Sequence, residues 1–597
     1  MIRVPKPVAP WICLAGTLAL FLLYLATLHP TNWFGKYRDE ALYFSSAKAL
    51  AEGRGYVLSS LPGNPPQTKY PVLYPWLLSW VWKWNPSFPA NLGPSVCLTA
   101  LFSCGFLVLT FQMLRKLNGV GEWPALAMVT VCASLPTFLI VSGMLMSDSL
   151  FMVLALAAAL LADKAMRASG RLPLAALVGV LAGLSVLTRG VGVAVVAGIV
   201  VAGLLRRAFR QAAAVCLGAA PFLVPALWAG RRSLGGSNEG LTNQAAGLPP
   251  GWQQTLAWYT SYPKMWKFCV PNVSVFLSML RGNLGAFLET PAYYWLHPTL
   301  RIGTSFAATA LSAPLMLIAL AGILRQARSD EWKPLHFVFG FYSGILLLWN
   351  YTVMDRFLLL FVPLFCLGLW VEGKHLAGLL GSALRAGRMG ERVSAGVVSA
   401  GLAALAATAV WNTLQFYRPN PAAEQQAARL RQDKAQAYNW IRENALREDR
   451  IVAYEDGRVY LYTGRQTVMP IAFSSEYSYT HDSRVLERDL TRMADTAAAV
   501  QAHYWLTSLD DFILDDDEEA QPAMRAREAQ LMSGLPEMFR SPDGWVRLHD
   551  ISCLVQPQGT PCASGLPTLP AGTSGIEADP GKGPARISHH GIGKAGL

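Results

Sequence analysis

The sequence is short of charge. Asp, Glu, Lys and Arg make up only 15% of its 597 residues, against ~25% in ordinary soluble domains. Such scarcity excludes a disordered chain and a soluble multidomain enzyme. No CxxC pair occurs among the nine cysteines, and seven of them (Cys13, Cys97, Cys104, Cys132, Cys216, Cys269 and Cys366) lie in or near apolar segments. There Cys behaves as a small hydrophobe, so a small disulfide scaffold is excluded too. Only Cys553 and Cys562 sit in a polar stretch, where they can pair in an oxidising compartment. No internal repeat is present. What the chain does have is apolar length. Hydrophobic residues reach 53%, Trp numbers 19, and the mean hydropathy is +0.30. These values describe a membrane protein with a substantial part outside the bilayer.

Apolar runs near ~20 residues are spanning candidates, because the hydrocarbon core is ~30 Å thick and a helix rises ~1.5 Å per residue. Eleven are expected, at 9–29, 92–114, 124–145, 147–163, 172–188, 190–206, 211–229, 303–324, 335–354, 357–371 and 394–413. The first is read as an anchor, since its apolar stretch is long for a signal peptide and no small-residue cleavage site follows. The net charge of +12 is distributed unevenly. Arg3 and Lys6, Arg115 and Lys116, Lys164 to Arg171, Arg206 to Arg210, Arg325 to Lys333 and Lys374 to Arg392 all fall in alternate gaps. The positive-inside rule makes that side cytoplasmic. The amino terminus is then inside and, after eleven crossings, the carboxyl end is outside.

Two long outer loops follow from this topology, at 30–91 and 230–302, both rich in Trp, Tyr and Pro. The stretch 71–84 is too short and too aromatic to span, and reads as a helix lying in the interface. The amphipathic segment 38–52 is expected to lie there also. The expected fold is thus an α-helical polytopic membrane protein, residues 1–417, followed by a small extracytoplasmic α/β domain at 418–555. In that domain 422–446 is helical, strands lie at 450–454, 467–469, 503–507 and 545–549, and a helix runs over about 518–534. Residues 556–597, rich in Gly, Pro and Ser, are expected to be a disordered tail.

Span interiors carry few acids and bases, whereas Asp39, Glu40, Asp148, Arg189, Asp355 and Arg356 all fall at outer span edges. Ionisable groups at the membrane mark functional sites. Each also has a plainer reading. Asp39 and Glu40 suit the first turn of a solvated helix, Ser147 and Asp148 can cap the following span, and Arg356 can simply balance Asp355. Arg in short outer loops runs against the positive-inside trend, so Arg189 and Arg356 are the harder ones to dismiss.

The order of these groups carries a resemblance. Arg38-Asp-Glu-Ala-Leu-Tyr43, Ala49-Leu-Ala-Glu-Gly53, Tyr70-Pro-Val-Leu-Tyr-Pro75, Met146-Ser-Asp-Ser-Leu-Phe151, Leu187-Thr-Arg-Gly190, Asp355-Arg-Phe-Leu-Leu-Leu360, Ala437-Tyr-Asn-Trp-Ile-Arg442 and Tyr460-Leu-Tyr-Thr-Gly-Arg465 occur in sequence. With them the chain resembles the GT-C glycosyltransferases, specifically bacterial relatives of protein O-mannosyltransferases and of the lipid A aminoarabinose transferase. It departs at Asp148, where Glu is common, and at Phe357 and Leu359-Leu360, where a Tyr and a Pro are common. The resemblance implies a multi-pass plasma-membrane enzyme that moves a sugar from a polyprenyl-phosphate donor to a lipid, glycan or protein acceptor on the extracytoplasmic side. Arg356, Arg189 and Lys69 are then expected to hold the donor phosphate, and Asp39 to be the general base. Glu40 and Asp148 are expected to position the acceptor or orient a cation, and Tyr43, Tyr70 and Tyr74 to line the substrate site. No cofactor is required, because phosphate leaves readily once its charge is held; a divalent cation is compatible but not indicated. No nucleic acid partner is expected. Two other classes stay open: a lipid or solute transporter, which should carry broken helices and charges at midplane, and a non-catalytic scaffold, which has no use for the outer acid–Arg set. Asp515-Asp-Asp-Glu-Glu519 lacks the glycine and spacing of a calcium loop, and His589-His590 lies in the expected tail.

Overall fold

The computed structural model describes residues 9–35, 37–115, 120–167, 171–234, 250–262, 272–291, 294–295, 305–329, 331–349, 355–383, 420–512 and 520–555, with scattered positions between 393 and 415. Most of them are helical. Helices α1 (Ala9–Thr27), α2 (Arg38–Ala51), α3 (Leu73–Trp84) and α4 (Leu92–Arg115) open the chain. Then come α5 (Glu122–Ala133), α6 (Pro136–Gly143), α7 (Asp148–Met166), α8 (Leu172–Thr188), α9 (Val193–Leu205) and α10 (Phe209–Leu234). After α11 (Pro250–Thr260) and α12 (Val273–Pro291), the helices α13 (Ser305–Ser329), α14 (Pro334–Leu347) and α15 (Val362–Ala383) complete the apolar part. Helix thus occupies each of the first ten expected spans; the eleventh, 394–413, falls mostly outside the described residues.

By length and composition four segments can cross a bilayer alone: Ala9–Thr27, Leu92–Arg115, Asp148–Met166 and Arg356–Leu379. The third expected span is bent. Its two halves, α5 and α6, meet at 63°, because Pro136 opens α6 without an N–H and holds Leu135 in the extended region at φ −68°, ψ 131°. The shorter apolar helices 172–188, 190–205, 209–224 and 334–347 pack beside these. Small residues permit the tight pairs. A Cβ on Gly322 of α13 would stand 1.9 Å from the carbonyl oxygen of Gly368 in α15, so these backbones touch as membrane helices do when dispersion is the main attraction. Leu, Ala and Val of α4–α9 fill the bundle core, whereas Ile12, Leu20, Leu23, Leu101 and Leu217 face outward, as a lipid-facing surface requires.

The polar end forms a five-stranded sheet in the order β2-β1-β3-β5-β4. Its strands are β1 (Ile451–Ala453), β2 (Thr467–Val468), β3 (Tyr504–Ser508), β4 (Glu537–Arg540) and β5 (Val546–Asp550). β1 pairs in parallel with β2 and β3, and β5 runs antiparallel between β3 and β4. Helices α16 (Pro421–Asn444) and α17 (Asp456–Thr463) cover one side. β4 had no sequence signal: it is an exposed edge strand with a register shift, so no apolar alternation marks it.

One expectation is corrected here. Segment 38–52 does not lie open in an interface. In α2 Glu40 to Ala47 and Ala49 are buried, because the helix is wedged between α3 and α17. The same apolar core runs from Trp33, Leu42 and Phe44 through Trp252 and Tyr259 to Val452, Trp505 and Ile551. The segment between α1 and α4, α11 and the C-terminal unit of sheet and helices (residues 420–555, the cap) therefore share one core. α3, by contrast, buries Tyr74, Leu78 and Trp82 and leaves Trp76, Trp80 and Trp84 exposed on its other side.

Candidate functional site

Helical geometry sorts the first turn of α2. Positions three or four apart share a face, so Asp39 and Tyr43 point one way, while Arg38 and Ala41 point another. Tyr70, from the loop before α3, donates its hydroxyl proton to Asp39 Oδ1 at 2.5 Å. Arg356 Nη2 stands 3.8 Å from Asp39 Oδ2, a Coulombic contact too long for a good hydrogen bond. Arg356 lies in the short turn Asp355–Leu358 that precedes α15. The chain there cannot run straight into the helix, because Pro363 supplies no N–H, and a 3-10 turn at Leu359–Phe361 intervenes.

A second ion pair lies beside the first. Arg189 Nη1 meets Asp148 Oδ2 at 2.5 Å. Asp148 begins α7, and Arg189 sits in extended conformation between α8 and the turn into α9. Both guanidiniums stack on Phe357, at 4.9 Å for Arg356 and 5.1 Å for Arg189. Arg356 feels both Asp148 and Asp39. The two acids and two arginines therefore share one space.

Lys69 stands near Asp39. Its Nζ donates to the Trp258 carbonyl at 2.9 Å and sits 3.9 Å from the Trp258 ring centroid, with Tyr262 5.3 Å and Tyr70 5.6 Å away. Burial pushes its ammonium down to about 8, with Asp39 opposing the shift. Tyr43 packs on Tyr70 at 4.9 Å and bonds Ser147 at 3.1 Å, which links α2 to the start of α7.

Two expected site residues lie elsewhere. Glu40 is 1% exposed. Its carboxylate accepts from the amides of Gly35 at 3.1 Å and Leu145 at 2.9 Å, so it ties α2 to the segment before α7. Tyr74 is fully buried behind Tyr43 and shares a hydrogen bond of 2.7 Å with Thr99 of α4; it is wall, not lining. Phe357 stood in a motif only as a departure from it, and two further neighbours carried no motif: Trp258 and Tyr262. Trp258 and Tyr262 belong to the aromatic-rich second loop, which was their only signal. Asp515–Glu519 and His589-His590 lie outside the described residues. Among the described residues no three His, Cys, Asp or Glu side chains gather as a metal site.

The arrangement of helices and sheet is shared with a solved membrane oligosaccharyltransferase. The oligosaccharyltransferase of Archaeoglobus fulgidus in its apo form superposes with a TM-score of 0.50 at 10% identity, covering 91% of this chain and 75% of that one. ArnT from Cupriavidus metallidurans bound to undecaprenyl phosphate gives 0.45 at 11% identity, covering 91% and 99%. The archaeal AglB in complex with an inhibitory peptide and a dolichol-phosphate gives 0.46 at 11% identity, covering 86% and 70%. No protein-family model and no curated protein matches the chain. At these identities the likeness is one of fold.

Proposed function

We propose that the protein is a membrane glycosyltransferase that takes a sugar from a polyprenyl-phosphate donor at the extracytoplasmic face. The observation that carries this reading is the meeting of Asp39, Tyr70 and Arg356 with the Asp148–Arg189 pair around Phe357, at the junction of the helices and the outer cap. Such a donor keeps its hydrocarbon chain in the bilayer and its phosphate at the boundary. Arg356 and Arg189, each with a planar fork of donors, suit that phosphate. Lys69 adds a third cation. The acceptor X–H gives its proton to Asp39 as its heteroatom attacks the anomeric carbon. The bond from that carbon to the phosphate oxygen breaks, and its electron pair leaves with the phosphate, now held by the cations. Attack opposite the leaving group inverts the anomeric centre. Asp148 fixes Arg189, and Glu40 holds the helix that carries Asp39.

The outer cap is read as extracytoplasmic. The distribution of Lys and Arg supports this. So does Cys553, which is disulfide-bonded, a bond favoured in oxidising compartments. Pairing with Cys562, which the sequence allows and does not decide, is part of the same proposal.

The decisive experiment is a purified-protein assay in lipid nanodiscs with a polyprenyl-phosphate-linked sugar and a panel of acceptors. Release of free polyprenyl phosphate with a new glycosidic bond is the expected result. Movement of the intact donor across liposome membranes with no bond cleaved would favour the transporter reading instead.

A further inference from the structure

The cap does more than cover the site. α17 of the cap lies across the N-terminal turn of α2, and the contact is made where no side chain fits. A Cβ placed on Gly457 would stand 2.8 Å from the Ala41 Cβ, closer than real Cβ contacts come. Next to it the aliphatic part of Arg458 lies over Gly35, where a Cβ would meet Arg458 Cδ at 2.8 Å; Gly35 itself is left-handed at φ +85°. Arg38 stacks on the Tyr454 ring at 4.1 Å and points Nη1 at Met469 Sδ 3.8 Å away. Thus the face of α2 that carries Arg38 and Ala41 is seated on the cap, and the face that carries Asp39 and Tyr43 is turned to the site.

The seat is itself braced. Arg458 Nη1 pairs with Glu455 at 3.2 Å, and Lys434 of α16 joins Glu455 at 2.7 Å and Asp510 at 2.8 Å. The phenol of Tyr259 in α11 donates to Asp456 at 2.5 Å. Buried ion networks of this kind are costly to break. They hold α17 in one position relative to the sheet.

We infer that Gly457, with Arg458 and Tyr454, forms a positioning seat through which the outer cap sets the distance of Asp39 from the donor and acceptor. None of the three touches the reacting atoms. The inference rests on the glycosyltransferase reading for its kinetic consequence, but its structural part stands on the packing alone.

The test is a compensating pair. Gly457→Ala adds one methyl against Ala41, so α2 must shift by a fraction of an ångström. Misplacing a reacting group by ~1 Å costs up to ~10²-fold, and kcat should fall ~10-fold, with KM for the donor within about twofold because the phosphate-holding cations are not displaced. Ala41→Gly removes the opposing methyl. The double variant should recover to the kcat of Ala41→Gly alone. Hydrogen exchange at the amides of residues 38–43 reads the same seat with no substrate present: it should quicken in Gly457→Ala and slow again in the double variant. If Gly457→Ala does not fold, Tyr454→Leu loosens Arg38 without a clash and should show the same split. Wild-type kcat and exchange in the single variants, or a loss that Ala41→Gly fails to restore, would overturn the seat. An inactive wild type would overturn the functional reading instead, and the exchange measurements would still decide the seat.

Discussion

At the scale of single residues, the site separates chemistry from scaffolding by where each polar atom finds its partner. Asp39 keeps one oxygen toward Tyr70 and the other toward Arg356, and in the proposed reaction it is the carboxylate that takes the proton. Asp39→Asn keeps the shape and removes the proton acceptor. Turnover is expected to fall by ~10²-fold or more with the protein level unchanged; near-normal turnover in the purified variant would remove Asp39 as the base. Arg356→Ala should weaken donor use by ~1.5–3 kcal/mol, the scale of one charge-assisted hydrogen bond, and Arg356→Lys by less, since it keeps charge without the fork. Measured donor affinity separates these two outcomes. Lys69 supplies a pH signature. Its ammonium, pushed down to about 8 by burial, is present below that value and lost above it. The rate constant kcat/KM for the donor, which reports the free enzyme, should therefore decline as pH rises through about 8. Lys69→Arg should abolish that decline, even at a lower absolute rate.

At the scale of elements, the helix that bears the proposed base is held by its neighbours more than by its own sequence. α2 has no side-chain cap at Tyr37, and its first turn is secured by Glu40, whose oxygens accept two amides from other segments. Glu40→Gln leaves one of those amides facing an amide donor. The expected loss is ~1–3 kcal/mol of stability, the usual cost of an unsatisfied buried group, read as a lower unfolding midpoint in detergent. A Glu40→Gln protein as stable as wild type would show that the clamp contributes nothing. The amphipathic look of 38–52 was misleading for the same reason. Its polar side meets buried partners and not water, and a hydrophobic pattern alone cannot tell one polar environment from the other.

At the scale of the whole molecule, the cap and the α2 helix seated on it hold several carboxyl groups in apolar surroundings. Burial pushes Glu40 and Glu528 up to about 7 and Asp456 up to about 6, and Asp511, beside Glu528, is raised as well. A group whose pKa is higher folded than unfolded contributes stability that is full below its unfolded value and lost as pH rises through its folded value. For these groups the window runs from about 4 to 7. Buried His549 is shifted downward and acts in the opposite sense, but it is one imidazole against four carboxyls. The cap should accordingly melt at a higher temperature at pH 5.5 than at pH 8, by roughly 2–4 °C for each kcal/mol. Glu528→Gln should flatten that difference. A Tm that rises from pH 5.5 to pH 8 would contradict it. Orientation is checked at the same scale: with native cysteines replaced, a probe at Ser87 should react from outside and one at Arg207 only from inside.

The sequence by itself determined the apolar helices, the grouping of acids and arginines at the edges of apolar runs, and four of the five strands, because length, periodicity and charge placement are local properties of the chain. It also held the resemblance in Arg38–Tyr43, Met146–Phe151, Leu187–Gly190 and Asp355–Leu360, since those motifs are read position by position. The tertiary structure decided which of the marked residues meet. Asp39, Arg356, Asp148 and Arg189 come from four distant segments, and Phe357 joins them only because the breaks before α15 and after α8 turn both guanidiniums onto one ring. Glu40 and Tyr74 bear the same kinds of groups as Asp39 and Tyr70, one and four positions along. A helix turns 100° per residue, so one step carries Glu40 away from the site, and for Tyr74 the neighbouring Thr99 captures the hydroxyl. That α2 is seated on Gly457 of the cap, more than 400 positions later in the chain, depends on the close approach of two backbones, which no single-sequence pattern records.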